Sequence, residues 1–182
     1  MTATPGAVIG FWFGEVPPEA WFRKDPGFDA LCDRRFGQAM RAAIAGRHDP
    51  WAETADGSLA LVILLDQMPR NILRDTPGAF ASDPAALAVA RRALDRGFDL
   101  DLPVARRLFL YLPFQHSESL ADQERCVMLC SERLDDPKKL DYACRHRDII
   151  ARFGRFPHRN AILGRTSTAA EEAFLGEPGS SF

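Results

Sequence analysis

FGRFPHRNAILGRTST, residues 153–168, decides how this chain is read. An apolar helical pattern reaches Phe153, Gly154 offers a cap, and Pro157 and Gly164 bound a polar run. Arg155, His158, Arg159, Asn160 and Arg165 stand within it, and no acid occurs between Ile149 and Ala170. The same plan recurs upstream. LLDQMPRN at 64–71 and YLPFQHSE at 111–118 each carry an apolar run to a proline and then turn polar. Pro69, Pro113 and Pro157 are spaced by 44 residues twice, and PRNILRDT at 69–76 echoes PHRNAILGRT at 157–166. A period near 40 residues with two helices per unit is the signature of a helical solenoid, whose stacked units bury a shared core. The spacing therefore predicts helical hairpins with equivalent loops on one edge, and three polar clusters that converge on one site. Chance spacing among the 13 prolines is the competing reading.

The intervening segments agree with helices. Phe28 to Ala45 repeats apolar residues at helical spacing, and Gly46 is placed to cap it. Ser58 opens a helix whose Leu59–Leu65 run is apolar on every side and so belongs at the centre. Asp66 and Gln67 fall at its end, before Pro69. An Asp there opposes the helix dipole and calls for a cation, with Arg70 the local candidate. Asp83-Pro84 reads as N-cap and first turn. Pro103 starts a helix that Pro113 stops. Ser119 caps a helix to about Leu134 with Gln123 on its apolar face, and Pro137 starts one to Phe153 with His146 pointing inward. Thr168-x-x-Glu171 is a capping box. No stretch alternates as a strand, and Ala, Leu and Arg dominate, so the fold class is all-α. Residues 1–182 form one domain, with 176–182 a loosely held tail.

Composition narrows the function classes. A length of 182 residues suits one domain with a sizeable core. The net charge of −2 and pI of about 6.1 argue against nucleic-acid binding by bulk charge and leave only a local basic patch open. Arginine outnumbers lysine by 20 to 3. Codon bias accounts for the overall excess, while local clusters retain the functional meaning of forked capture of carboxylate or phosphate. No run reaches the ~18 to 20 apolar residues of a membrane span. The N-terminus lacks the basic region of a signal peptide, so the expected location is cytoplasmic and the four cysteines are expected reduced.

Five motifs carry a family resemblance: FWFG at 11–14, LLDQMPRNILR at 64–74, AFASD at 79–83, FLYLPFQHSE at 109–118 and RFGRFPHRNAILGRTSTAAEEAFL at 152–175. With these the chain resembles, nearly end to end, a bacterial family known as domain of unknown function 924 (DUF924). The resemblance implies a tetratricopeptide-like fold: stacked helical hairpins in one compact right-handed superhelical domain. It implies no established activity and no known cofactor, and it adds weight to the polar clusters as a shared site.

Three chemistries are open to those clusters. Arg155, Arg159 and Arg165 can each grip a planar anion with two hydrogen bonds. With Asp66, Arg70, Asn71, Gln123, His146 and Asn160 they form the expected binding set for a small anionic molecule or acidic peptide. The opposing reading pairs the arginines internally with Asp66, Glu118 and Glu171 as clamps. An enzyme, hydrolase or transferase, would use His116 or His158 for acid–base work with Glu118 as orienting partner. Ser117 lacks a G-x-S-x-G context, which excludes an α/β-hydrolase. The third chemistry is architectural, a scaffold for a protein partner. Cys126, Cys130, Cys144 and His146 have the wrong spacing for structural zinc, and His116, Glu118 and His146 lack an HExxH pattern, so no metal and no cofactor are expected.

Overall fold

The computed structural model describes residues 3–180, and every regular element among them is helical. Helix α1 (Pro5–Gly10) is capped by Thr4 and runs into a wide turn at Phe11–Glu15, where the Val16 N–H reaches back five residues to the Phe11 carbonyl at 3.0 Å. That turn drives Phe11 and Trp12 into the core. Helix α2 (Pro26–Ile44) starts on Asp25, whose carboxylate accepts the Gly27 and Phe28 N–H groups. It ends where Gly46 takes φ +73°, a conformation that costs glycine nothing.

Helix α3 (Ala55–Val62) is the centre of the molecule. Its cap is Thr54, which accepts the Gly57 N–H, and not Ser58 as the sequence suggests. Ser58 lies inside the helix, where it is buried and donates to the Ala52 carbonyl. The Leu59–Leu64 run is shielded from solvent throughout, as its all-round apolarity requires. The path does not break at Pro69. It passes through a wide turn at Ile63–Gln67, in which Met68 N–H bonds Ile63 O, and continues as α4 (Met68–Ile72). Pro69 has no N–H for the Leu65 carbonyl four residues earlier. Ser82 Oγ donates to that carbonyl instead, at 2.6 Å.

Helices α5 (Asp83–Asp95), α6 (Phe98–Asp101) and α7 (Val104–Gln115) follow, then α8 (Leu120–Arg133), α9 (Pro137–Phe153) and, after a short tight turn at Pro157–Arg159, α10 (Ala169–Leu175). The residue preceding α5 is Ser82, so Asp83 opens the helix from inside and its side chain is turned to other partners. Pro113 is likewise interior to α7. Leu112, Pro113, Phe114 and Gln115 are all buried, and this packing carries the helix past the missing rung. Thr168 and Glu171 form the expected capping box, with Thr168 N–H donating to Glu171 at 2.7 Å and Glu171 N–H to Thr168 at 3.3 Å.

Packing follows the chain: α3 lies against α1 and α5, α5 against α7, α7 against α8, and α8 against α9. Among the described residues no helix is long and apolar enough to cross a membrane. In the expected tail, Ser180 is buried and its hydroxyl donates to the Leu175 carbonyl at 3.1 Å. The tail is loosely held on the sequence reading unless Phe182 docks; Phe182 lies outside the described residues, as do Met1, Thr2 and Ser181.

Candidate functional site

The wide turn between α3 and α4 places Asp66 in the interior with no solvent exposure. A buried carboxylate needs partners for each lone pair. Gln67 Nε2 donates to Oδ2 at 2.5 Å, and Arg70 Nη1 lies 3.3 Å from Oδ1 while donating to the Asp66 carbonyl at 2.7 Å. The remaining contact comes from the end of α7: His116 Nδ1 lies 2.7 Å from Asp66 Oδ1. Sequence reasoning assigns Glu118 as the orienting acid of His116. The structure corrects this, because Glu118 turns away to Arg165, from which it accepts bonds of 2.7 and 3.0 Å, and to the Phe156 N–H at 2.8 Å.

Asp83 ties the first polar cluster to the third. Arg70 grips it with two bonds of 2.9 and 3.0 Å, and Arg159 reaches it at 3.3 Å. The sequence offers Arg159 a choice of Asp66, Glu118 or Glu171; its acid is instead Asp83. The Arg159 guanidinium sits 4.7 Å from the Phe80 ring centroid and 4.5 Å from that of Phe156, and its side chain is only 8% exposed. Its Nε is buried without a hydrogen-bond partner among the described residues. Arg159, Asp83, His116, Ser117 and Glu118 line a cavity of about 520 Å³ together with the apolar Phe80, Leu87, Leu163, Pro77, Pro84 and Pro113.

Asp66, Arg70, His116, Glu118, Arg159 and Arg165 are thus brought together around this cavity or directly behind it. The other residues nominated by the sequence are placed elsewhere. Asn71 donates to Asp29 on α2 at 2.9 Å, in company with Arg74. Arg155 closes on Glu171 with bonds of 2.6 and 2.8 Å, pinning α10 to the end of α9. Gln123 donates to the Gln115 and Ser117 carbonyls at 2.6 and 2.7 Å and so holds the turn that presents His116. Asn160 donates to Ser167 at 3.0 Å. His146 is buried edge-on to the Phe156 ring with Nδ1 2.8 Å from the Tyr142 carbonyl, and His158 packs against Phe156 at 5.5 Å between ring centroids. Asp83 and Phe80 escape sequence reasoning as site residues. Their signal is the AFASD motif, in which Asp83 reads as a helix cap.

Electrostatics set the protonation states. Burial would raise the Asp66 carboxyl, but the Arg70 charge and His116 outweigh it and hold the group well below the usual carboxylate range. Burial first and Arg70 second push His116 down, against Asp66, so at neutral pH the imidazole is neutral and Nδ1–H donates to Asp66. His158 is lowered to about 4 by burial and Arg159, and His146 to about 3 by burial. Burial and then Arg70 bring Arg159 down to about 10, still cationic at pH 7. Glu118 is lowered despite its burial, chiefly by the hydrogen bonds from Arg165 and the Phe156 N–H. Among the described residues no three His, Cys, Asp or Glu side chains gather as metal ligands would.

A family model described as "Bacterial protein of unknown function (DUF924)" matches residues 8–179. The solved structure of ATU0120, a protein of unknown function from Agrobacterium tumefaciens, is 42% identical to this chain, with a TM-score of 0.91, covering 96% of this chain and 97% of that one. No curated protein matches.

Proposed function

Because the chain belongs to the DUF924 family, whose description carries no activity, we propose from geometry that it binds a small molecule with one anionic group and an apolar body. The observation that carries this reading is Arg159. It is a buried cation on a cavity wall, with one long contact to an acid that Arg70 already holds twice, and with an Nε that has no partner among the described residues. A carboxylate or phosphate facing it would gain charge-assisted bonds that Asp83 does not supply. The apolar walls would take the rest of the ligand, and a cavity of this volume is within the ~300–1,000 Å³ range of small-molecule sites. An acidic peptide end is the larger variant of the same chemistry. Arg155 and Arg165, closed on Glu171 and Glu118, act as clamps in this reading and not as ligand donors.

The tetratricopeptide-like character and the cytoplasmic location belong to the same proposal. Sequential packing of α5, α7, α8 and α9 supports stacked hairpins, and the absence of any membrane-crossing helix among the described residues is compatible with the cytoplasm.

Thermal shift tests the reading. Benzoate, hexanoate and inorganic phosphate are titrated at low ionic strength into the wild type and Arg159→Met. Asp83 keeps Arg70 in the variant, so the fold is expected to persist. A rise in melting temperature with the amphipathic carboxylates, absent in the variant, is the expected result. No rise in wild type with any of the three would sink the proposal.

A further inference from the structure

The cavity holds a second device that anion binding alone does not use. His116 has one ring nitrogen committed to a fully buried carboxylate, and among the described residues the ring makes no other hydrogen bond. It lines the cavity and retains 14% of its side-chain surface. Asp66 is itself held by Gln67 at Oδ2 and by Arg70 at Oδ1 and at its backbone carbonyl. A buried carboxylate behind Nδ1 fixes the tautomer that leaves Nε2 unprotonated, and it stabilises the imidazolium that forms when Nε2 takes a proton. Ser117, the adjacent hydroxyl, is not the source of that proton, because its Oγ donates to Asp122 at 2.8 Å.

Resting on the pocket reading above, we infer that His116 is a general base which removes a proton from carbon in a small carboxylic acid, with Asp66 as its positioning residue. The substrate class carries a C–H made acidic by an adjacent carbonyl. The proton passes to His116 Nε2 and the C–H electron pair moves into the carbonyl as an enolate, while Arg159 holds the substrate's carboxylate in the same cavity and its charge favours the second negative charge that develops beside it. Return of the proton to carbon or oxygen completes an isomerisation, and no oxidant or second substrate is needed. Burial keeps His116 unprotonated at neutral pH, as a base must be.

The test uses 5-nitrobenzisoxazole, a neutral probe that needs only a base in an apolar pocket. The base takes the ring C–H proton, the electron pair forms a nitrile, and the N–O bond breaks to give a yellow cyanophenolate. Full-length wild type, His116→Gln and Asp66→Asn are compared, with the benzoate thermal shift measured on the same samples. Turnover faster than equimolar imidazole, reduced at least ~100-fold in His116→Gln, is the expected result. Asp66→Asn should lower the rate and move the midpoint of its pH profile. Asp66 touches His116, Arg70, Asp83, His146 and His158 couple to it electrostatically, and Glu118 and Arg159 share its cavity, so the midpoint is assigned by its response to Asp66→Asn. A rate that rises to a plateau with a midpoint below ~6.5, and whose midpoint moves in Asp66→Asn, supports the inference even where His116→Gln does not fold, and a midpoint that Asp66→Asn leaves in place overturns it. Turnover absent in wild type, or unchanged in folded His116→Gln, overturns it. If the benzoate shift survives that outcome, the binding pocket stands and only the base falls. Turnover without a benzoate shift keeps the base and removes the anion pocket.

Discussion

Arg165 and Glu118 show what a single residue contributes here. Their two-bond pair joins the loop after α7 to the segment after α9, and Arg165 adds a bond to the Phe156 carbonyl at 3.1 Å. The two side chains are 23% and 30% exposed, between surface and interior. Arg165→Ala should therefore cost about 1–2 kcal/mol, above the ~0.2–1 of an exposed pair and below the ~3–5 of a buried one. Urea denaturation measures it, and a loss under ~0.5 kcal/mol would make the clamp ornamental. Ser82 is a quieter case. Ser82→Ala leaves the Leu65 carbonyl without its donor beside Pro69, and a loss of ~1–3 kcal/mol is expected by the same measurement. Ser82→Thr, which keeps the hydroxyl, should recover part of it.

At the scale of elements, α3 depends on a close approach at its first turn. A Cβ on Gly57 would collide with the Trp51 carbonyl oxygen and sit 2.8 Å from Thr54 Oγ1, the atom that caps the helix. The colliding atom is backbone and cannot swing away. Gly57→Ala would gain about 1 kcal/mol of helix propensity on an open surface. Here it should be destabilising by ~2–3 kcal/mol, read as a fall in the denaturant midpoint. An unchanged or higher midpoint would show that the segment carrying Trp51 yields freely. The capping box of α10 works in the opposite direction, through attraction. Thr168→Ala should cost ~1 kcal/mol and loosen the α10 that Arg155 and Glu171 hold in place. Hydrogen exchange of the α10 amides reports that loosening directly.

The whole molecule carries an acid sensitivity set by its buried histidines. His146 and His158 have folded values of about 3 and 4, below the ~6.5 of an unfolded chain. As pH falls, the unfolded state takes up these protons first. Their contribution to stability is fully present above pH ~6.5 and is lost as pH falls through the folded values. The depressed carboxylates Asp66 and Glu118 add a loss of the same sign, but only where carboxylates begin to protonate, nearer pH ~4.5. Between pH ~6.5 and ~5 the histidines act alone. The urea midpoint is expected to fall across that interval, and to fall less in His158→Asn. A flat wild-type profile there would contradict the buried neutral histidines.

Much of this organisation is local and is therefore legible in the chain. The helical periodicities, Gly46, the box at Thr168 and Glu171, the inward His146 and the apolar Leu59–Leu65 run depend on neighbours within a few turns, so spacing and residue type determine them. The prolines mislead because a proline forbids one backbone bond and does not by itself end a helix. Ser82 supplies the missing donor at Pro69, and buried packing carries α7 past Pro113. The site's pairings are out of reach for a related reason. His116 meets Asp66 across 50 residues and Arg159 meets Asp83 across 76, while Glu118, two positions from His116, turns to Arg165. Charges attract every opposite charge in a sequence. Only the packing of α3, α5 and α7 decides which of them share an interior, where leaving one unpaired costs the most.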